Sequence, residues 1–169
     1  GAGSMGRNHV RILSTEKADF EWIGFYDTDG DRARELSAQF SVPAFSSMEA
    51  LMEQADAVTI AAPSSCHKEI ALEAARRGLH ALVEKPLALT LADAEEISHA
   101  FARAGRILAV GHVERFNPVV TELCKLVRHE KIRALEVRRY SPYNGRITDA
   151  DVVQDLMVHD IDLVCNVLI

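Results

Sequence analysis

Three observations predict an α/β fold for this 169-residue chain, a doubly wound parallel sheet with helices on both faces. Strand-like and helix-like segments alternate as far as about residue 112. Several of the strand-like ones, such as ADAVTIAAP (55–63) and RILAVGH (106–112), are short, near-continuous apolar runs, as strands covered on both sides require. The chain also opens on a glycine-rich turn, GAGSMG, that runs directly into helical spacing.

The elements follow in order. Residues 5–13 read as a helix after the glycine turn, and FEWIGFYD (20–27), rich in aromatic and β-branched residues, reads as a strand. A helix over 31–40, a short strand over 43–45 and a helix over 48–53 come next. The apolar strand 55–63 leads to a helix over 66–77 that Gly78 terminates. HALVEKP (80–86) is the following strand and its exit. A helix over 91–104 ends at Gly105, and 106–112 is the last strand of the series. Beyond it the pattern changes: Pro118 opens a helix reaching about 129, residues 132–140 alternate like a half-exposed strand, and 152–168 takes up helical spacing in its second part. A boundary near Val113 therefore divides residues 1–112 from 113–169, the start of a second domain of α+β type. Because residue 1 is already a turn glycine and the last helical segment stops at Ile169 without a cap, the chain is expected to be cut at both ends, without the sheet's first strand.

Composition narrows the function classes. With 48% hydrophobic and 26% charged residues the chain reads as an ordinary soluble enzyme. No apolar run approaches the roughly 20 residues that span a bilayer, and no signal peptide is visible, so no membrane partner is expected. The formal charge of -6 argues against a nucleic-acid partner, although a local arginine cluster can still hold an anionic small molecule. Cys66, Cys124 and Cys165 form no CxxC pair and are odd in number, which suggests buried free thiols in a reducing cytoplasm.

Gly1, Gly3 and Gly6, with Ser4 and Met5 between the last two, match GxGxxG. The first glycine permits the tight turn, the second a close approach of backbone to a pyrophosphate, and the third close helix packing; the helix N-terminus supplies N–H donors. Asp27 follows Gly6 by roughly 20 residues, where the fingerprint places an acid for the ribose hydroxyls. Such an acid repels a 2′-phosphate, and the nearest arginines, Arg32 and Arg34, lie in the next helix. The expected cofactor is therefore NAD in preference to NADP. Residues 1–112 read as a Rossmann-type dinucleotide-binding domain.

EKP (Glu84, Lys85, Pro86) and APSSCH (62–67), with Pro63 and His67 in a PxxxH pattern, resemble the glucose–fructose oxidoreductase and inositol dehydrogenase family, known as Gfo/Idh/MocA. DLMVHDID (155–162) resembles that family's DxxxH helix, although Val152, Val153 and Met157 stand where the family favours glycines. Members run to about twice this length. The resemblance implies a cofactor site that includes Pro63, His67 and Glu84, and a catalytic trio of Lys85, Asp155 and His159. It also implies a homo-oligomer when the protein is intact. VGHVERFNP (110–118) and NGRITDADVVQDLMVHDID (144–162) are similar to the branch that oxidises the 3-hydroxyl of UDP-N-acetylglucosamine.

Oxidising a secondary alcohol needs a base within hydrogen-bond reach of the hydroxyl. His159 suits by type, Lys85 by its place at the carboxyl end of a parallel strand, and Asp155 shares a helix face with His159. Which of Lys85 and His159 is the base is left open; both also count as substrate contacts, with Arg115 and Asn117. Arg138, Arg139 and Arg146 are further cations, but alternation sends Arg138 and Arg139 to opposite faces, and both read as solvated. His67 is either close to the cofactor or simply the start of a helix. Asp160 and Asp162 read as capping or pairing groups, and His9, His80, His99 and His129 carry no comparable signal. A dehydrogenase of a free sugar or polyol, and a dinucleotide-binding sensor without turnover, are the alternatives.

Overall fold

The computed structural model describes residues 1–15, 20–140 and 151–168. Asn144 and Arg146 lie outside the described residues. Three parallel strands, β1 (Ala57–Ile60), β2 (His80–Val83) and β3 (Leu108–Val110), form a sheet in the order β1-β2-β3. The register runs from Ala57 opposite His80 to Ile60 opposite Val83, and from Ala81 opposite Leu108 to Val83 opposite Val110.

Helices α1 (Ser4–Thr15), α2 (Gly30–Phe40) and α3 (Met48–Met52) precede β1. Helix α4 (His67–Arg76) joins β1 to β2, and α5 (Leu91–Ala104) joins β2 to β3. Their ends follow from local chemistry. The Asp29 carboxylate accepts the free N–H groups of Asp31 and Arg32 at the start of α2, Ser47 caps α3, and Thr90 caps α5 through the N–H of Asp93. Helix α5 closes at Gly105 with φ 63°, a left-handed conformation that glycine adopts without steric cost.

Two apolar clusters hold this part together. Ala71, Ala74 and Ala75 of α4 are small enough to bring the helix close to Ile60, Ala81 and Val83, while Ile97 and Phe101 of α5 fill the volume beside them. Ala2, Val10, Phe25, Ala33, Leu36 and Val42 form the second cluster, beneath the glycine turn.

Three sequence expectations need correction. FEWIGFYD forms no regular strand: Gly24 at φ 136° interrupts the extended run, and a single parallel bridge joins Phe25 to Ala44. Phe25 N–H donates to Pro43 O at 3.1 Å and Phe45 N–H to Phe25 O at 2.8 Å, and that pair is all the laddering the predicted strand 43–45 provides. Residues 132–140 are likewise not a strand. They are exposed, and among the described residues no strand lies alongside to take their backbone bonds. The three cysteines are free thiols, but Cys66 and Cys165 are exposed rather than buried, at a turn before α4 and in the final helical stretch.

After β3, a 3₁₀ turn (Val113–Phe116) leads into α6 (Pro118–Val127), with Pro118 in the first turn and Asn117 as cap. Residues 153–168 are helical throughout: α7 (Val158–Leu163) lies between the wider π turns Val153–Met157 and Val164–Leu168. No helix among the described residues is long and apolar enough to cross a membrane.

Candidate active site

The glycine turn packs on the exit of β1. A β-carbon on Gly1 would stand 2.5 Å from Ala61 O, and one on Gly6 would collide with Gly1 O, so both positions are closed to side chains. At Gly3 a β-carbon meets nothing within 4 Å, which leaves the backbone open on the side where a pyrophosphate would approach. Buried Asp27 accepts the N–H of Ala2 at 2.5 Å and that of Asp29 at 2.8 Å, so it ties the turn to the segment that follows it. The guanidinium of Arg32 lies 3.3 Å from the same carboxylate. A hollow of about 530 Å³ opens here, lined by Gly3, Ser4, Arg7, Asp29 and Arg32 among others. An open glycine, helix N–H groups and an acid at the ribose end fit a dinucleotide.

The exits of β1 and β2 are braced together. His67, only 1% exposed, has Nδ1 2.8 Å from Pro86 O and Nε2 3.0 Å from Ala62 O. Both partners are acceptors and a neutral imidazole has one N–H, so the ring donates to one strand exit and packs against the other, from the first residue of α4. Pro63 opens the short 3₁₀ turn Ser64–Cys66 between them. Glu84 is buried and turns inward, where its Oε1 accepts from His9 Nε2 of α1 at 2.6 Å. Sequence reasoning passed over His9. The signal was its place on α1 beside the buried positions Gly6 and Val10, on the side that meets the sheet.

Lys85 follows Glu84 and points the other way. Its ammonium donates to Asp155 Oδ1 at 2.8 Å and to Asp155 O at 2.7 Å, across 70 residues of sequence. A lysine ammonium has three donors, so the third is unassigned among the described residues. His159, four residues after Asp155, is 9% exposed, and its Nδ1 is buried without a hydrogen-bond partner among the described residues. Burial holds the His159 imidazole below its ordinary pKa, with the Lys85 charge adding to the effect. It is therefore neutral at neutral pH, as a proton acceptor must be.

The other expected substrate contacts have partners inside the protein. Arg115 Nε donates to Asp162 Oδ2 at 2.7 Å and its Nη2 to Oδ1, while Asn166 donates to the same carboxylate at 3.1 Å. That guanidinium holds the Asp162 carboxyl below the usual carboxylate range. Asn117 accepts Val119 N–H at 3.0 Å and donates to Glu114 at 3.0 Å. Arg139 is not simply solvated, since it clasps Asp160 at 2.7 Å and 3.0 Å, whereas Arg138 pairs with its neighbour Glu136. His112, at the exit of β3, likewise has its imidazole Nδ1 buried without a hydrogen-bond partner among the described residues, 3.8 Å from Asp162 Oδ2. A cleft of about 420 Å³ runs past it, lined by Pro86, Leu89, Thr90, Gln154 and Val158 among others.

A dinucleotide turn and a lysine, an acid and a histidine, all gathered at the carboxyl end of one parallel sheet, define a nicotinamide-dinucleotide-binding oxidoreductase domain. The model of the Gfo/Idh/MocA oxidoreductase family, NAD-binding Rossmann fold, matches residues 1–112, and the chain belongs to that family. It is 35% identical over 163 residues to a UDP-N-acetylglucosamine 3-dehydrogenase from Acidithiobacillus ferrooxidans, covering 96% of this chain and 51% of that one. A solved structure of that dehydrogenase superposes with a TM-score of 0.86 over 96% of this chain and 52% of the other. An inositol 2-dehydrogenase from Saccharopolyspora erythraea is 33% identical, over 96% of this chain and 50% of its own length. The WlbA dehydrogenase from Bordetella pertussis, solved in complex with NADH and UDP-GlcNAcA, is 29% identical with a TM-score of 0.69, over 77% and 38% of the two chains. The chain spans about half the length of the curated relatives it matches.

Proposed function

We propose that the full-length protein is an NAD-dependent dehydrogenase that oxidises a secondary hydroxyl of a sugar, with the 3-hydroxyl of UDP-N-acetylglucosamine as its target. The observation that carries this reading is the Lys85–Asp155 ion pair at 2.8 Å, with His159 four residues beyond the acid, at the carboxyl end of the parallel sheet. Gly1, Gly3, Ser4, Met5 and Gly6 would hold the dinucleotide's pyrophosphate, and Asp27 its ribose; Pro63, His67 and Glu84 frame the site from below. When bound, the nicotinamide ring accepts the hydride that leaves the sugar carbon.

The chain's own groups manage the proton. Asp155 draws the Lys85 ammonium into a fixed position, and the remaining N–H of that ammonium is available to the substrate oxygen, where it stabilises the charge that develops as the hydroxyl proton leaves. His159, kept neutral by burial, accepts that proton. The buried carboxylate of Asp27 favours NAD over NADP, because a 2′-phosphate would face its charge despite the nearby Arg32. The similarity to a UDP-N-acetylglucosamine 3-dehydrogenase supports the sugar.

One observation favours a second reading, an uncharged polyol such as inositol. Arg115, the cation expected among the substrate contacts and so the one to meet a charged nucleotide sugar, is committed to Asp162, and an inositol 2-dehydrogenase is 33% identical. The test is NAD and NADP reduction by the full-length protein with UDP-N-acetylglucosamine and with inositols. NADH formation with the nucleotide sugar is expected; formation with inositol alone replaces the substrate. A protein that binds NADH, turns over no sugar and is unchanged by Lys85→Ala would be a sensor. Sedimentation of the full-length protein tests the homo-oligomer we also propose.

A further inference from the structure

His9 belongs to α1, the helix whose first turn is the glycine turn, so it is rigidly attached to the dinucleotide-binding backbone. Its Nε2 lies 2.6 Å from Glu84 Oε1, joining residues 75 apart in sequence. Glu84 has little freedom to go elsewhere. On its other side the carboxylate lies against Gly111 at the end of β3, so close that a β-carbon there would stand 2.9 Å from Oε2. Backbone also holds it, since Glu84 N–H donates to Ile60 O at 2.9 Å and Gly111 N–H to Val83 O at 2.8 Å. Glu84 leaves β2 and Lys85 begins the bend that follows it, so the two side chains share one short stretch of backbone. Holding the Glu84 carboxylate against His9 therefore holds the backbone from which the Lys85 ammonium reaches Asp155.

We infer that His9 is a positioning residue for Lys85: through Glu84 it sets where the ammonium stands relative to the dinucleotide turn. This inference rests on the reading of Lys85 given above. Without the imidazole, the Glu84 carboxylate would be buried with no donor on the α1 side and would be drawn toward His112, on which its charge already acts. That motion would twist the strand exit that carries Lys85.

The test uses the full-length protein with His9→Ala, His9→Gln and His9→Asn. A glutamine amide is long enough to donate to Glu84 from α1, and an asparagine amide falls short. For His9→Ala, kcat should drop roughly 10- to 100-fold while KM for NAD changes by less than about 3-fold, because the loss is one of geometry at the reacting end. Lys85 should also be acylated several-fold faster by an amine reagent, followed by mass spectrometry without any need for turnover. His9→Gln should recover most of both properties and His9→Asn neither, a comparison that stands even if His9→Ala does not fold. Wild-type kcat and wild-type Lys85 labelling in His9→Ala, or equal behaviour of the Gln and Asn variants, would overturn the inference. A wild-type protein that turns over no sugar would refute the dehydrogenase reading, and the labelling comparison would still decide the role of His9.

Discussion

A lysine ammonium held 2.8 Å from Asp155 and a buried imidazole four residues further on carry the chemistry proposed for this chain. Lys85→Met keeps most of the side-chain volume and removes the charge. Its kcat should fall by about 10²- to 10⁴-fold, the range of a lost proton-handling group, while NADH affinity measured by fluorescence titration stays within a few-fold. The pH dependence has a definite sign. Burial and the Lys85 charge lower the His159 pKa, and the protonated ring is inactive as a base, so activity is lost as pH falls through that lowered value. The acid limb of log kcat against pH should therefore bend below about 6.5, histidine's ordinary value, and an inflection above it would contradict the assignment. Residue types exposed Lys85, Asp155 and His159 in the sequence because they fall in short, specific motifs. His9 carried no motif, and its role is visible only where α1 meets the exit of β2. Arg115 and Asn117 went the opposite way. Their types suit a substrate, but Asp162 and the α6 cap occupy them.

At the scale of the elements, helices were more legible than strands. Thr90 and Gly105 bracket α5 over Leu91–Ala104, the span that sequence alone predicts, because caps are local chemistry. Thr90→Ala removes the acceptor for Asp93 N–H and should cost about 1 kcal/mol in urea unfolding, since α5 carries the buried Ile97 and Phe101. The glycine turn makes a sharper prediction. A methyl on Gly6 would meet the backbone of Gly1 rather than a side chain that can move aside, so Gly6→Ala should weaken NADH binding by at least about tenfold in the same titration. Strands depend on neighbours. FEWIGFYD has a strand's composition, yet Gly24 breaks its run and, among the described residues, the one bridge it makes is to Ala44. The alternation of 132–140 has no sheet to face among the described residues.

Across the whole molecule, the link between the exit of β3 and α7 is the buried Asp162, which Arg115, Asn166 and, at 3.8 Å, His112 surround. Asp162→Asn should cost about 1–3 kcal/mol at pH 7, a range reduced because the Arg115 guanidinium is partly solvated. The Asp162 pKa is lowered in the fold by Arg115, so its contribution is present above the ordinary carboxylate value of about 4 and lost as pH falls through the lowered one. Urea midpoints of wild type and Asp162→Asn should thus differ at neutral pH and converge in strong acid; a gap that persists there would rule out the ion pair as its source. The sequence by itself determined the α/β class, the glycine turn and the helix limits, because these are written in local spacing and residue type, and its resemblance to family motifs put Lys85, Asp155 and His159 forward as the expected trio. Only the tertiary structure decided which groups are spent internally and which stand open. Partner choice is made by side chains far apart in the chain, as with Lys85 and Asp155, His9 and Glu84, and Arg115 and Asp162, and no local pattern encodes those distances.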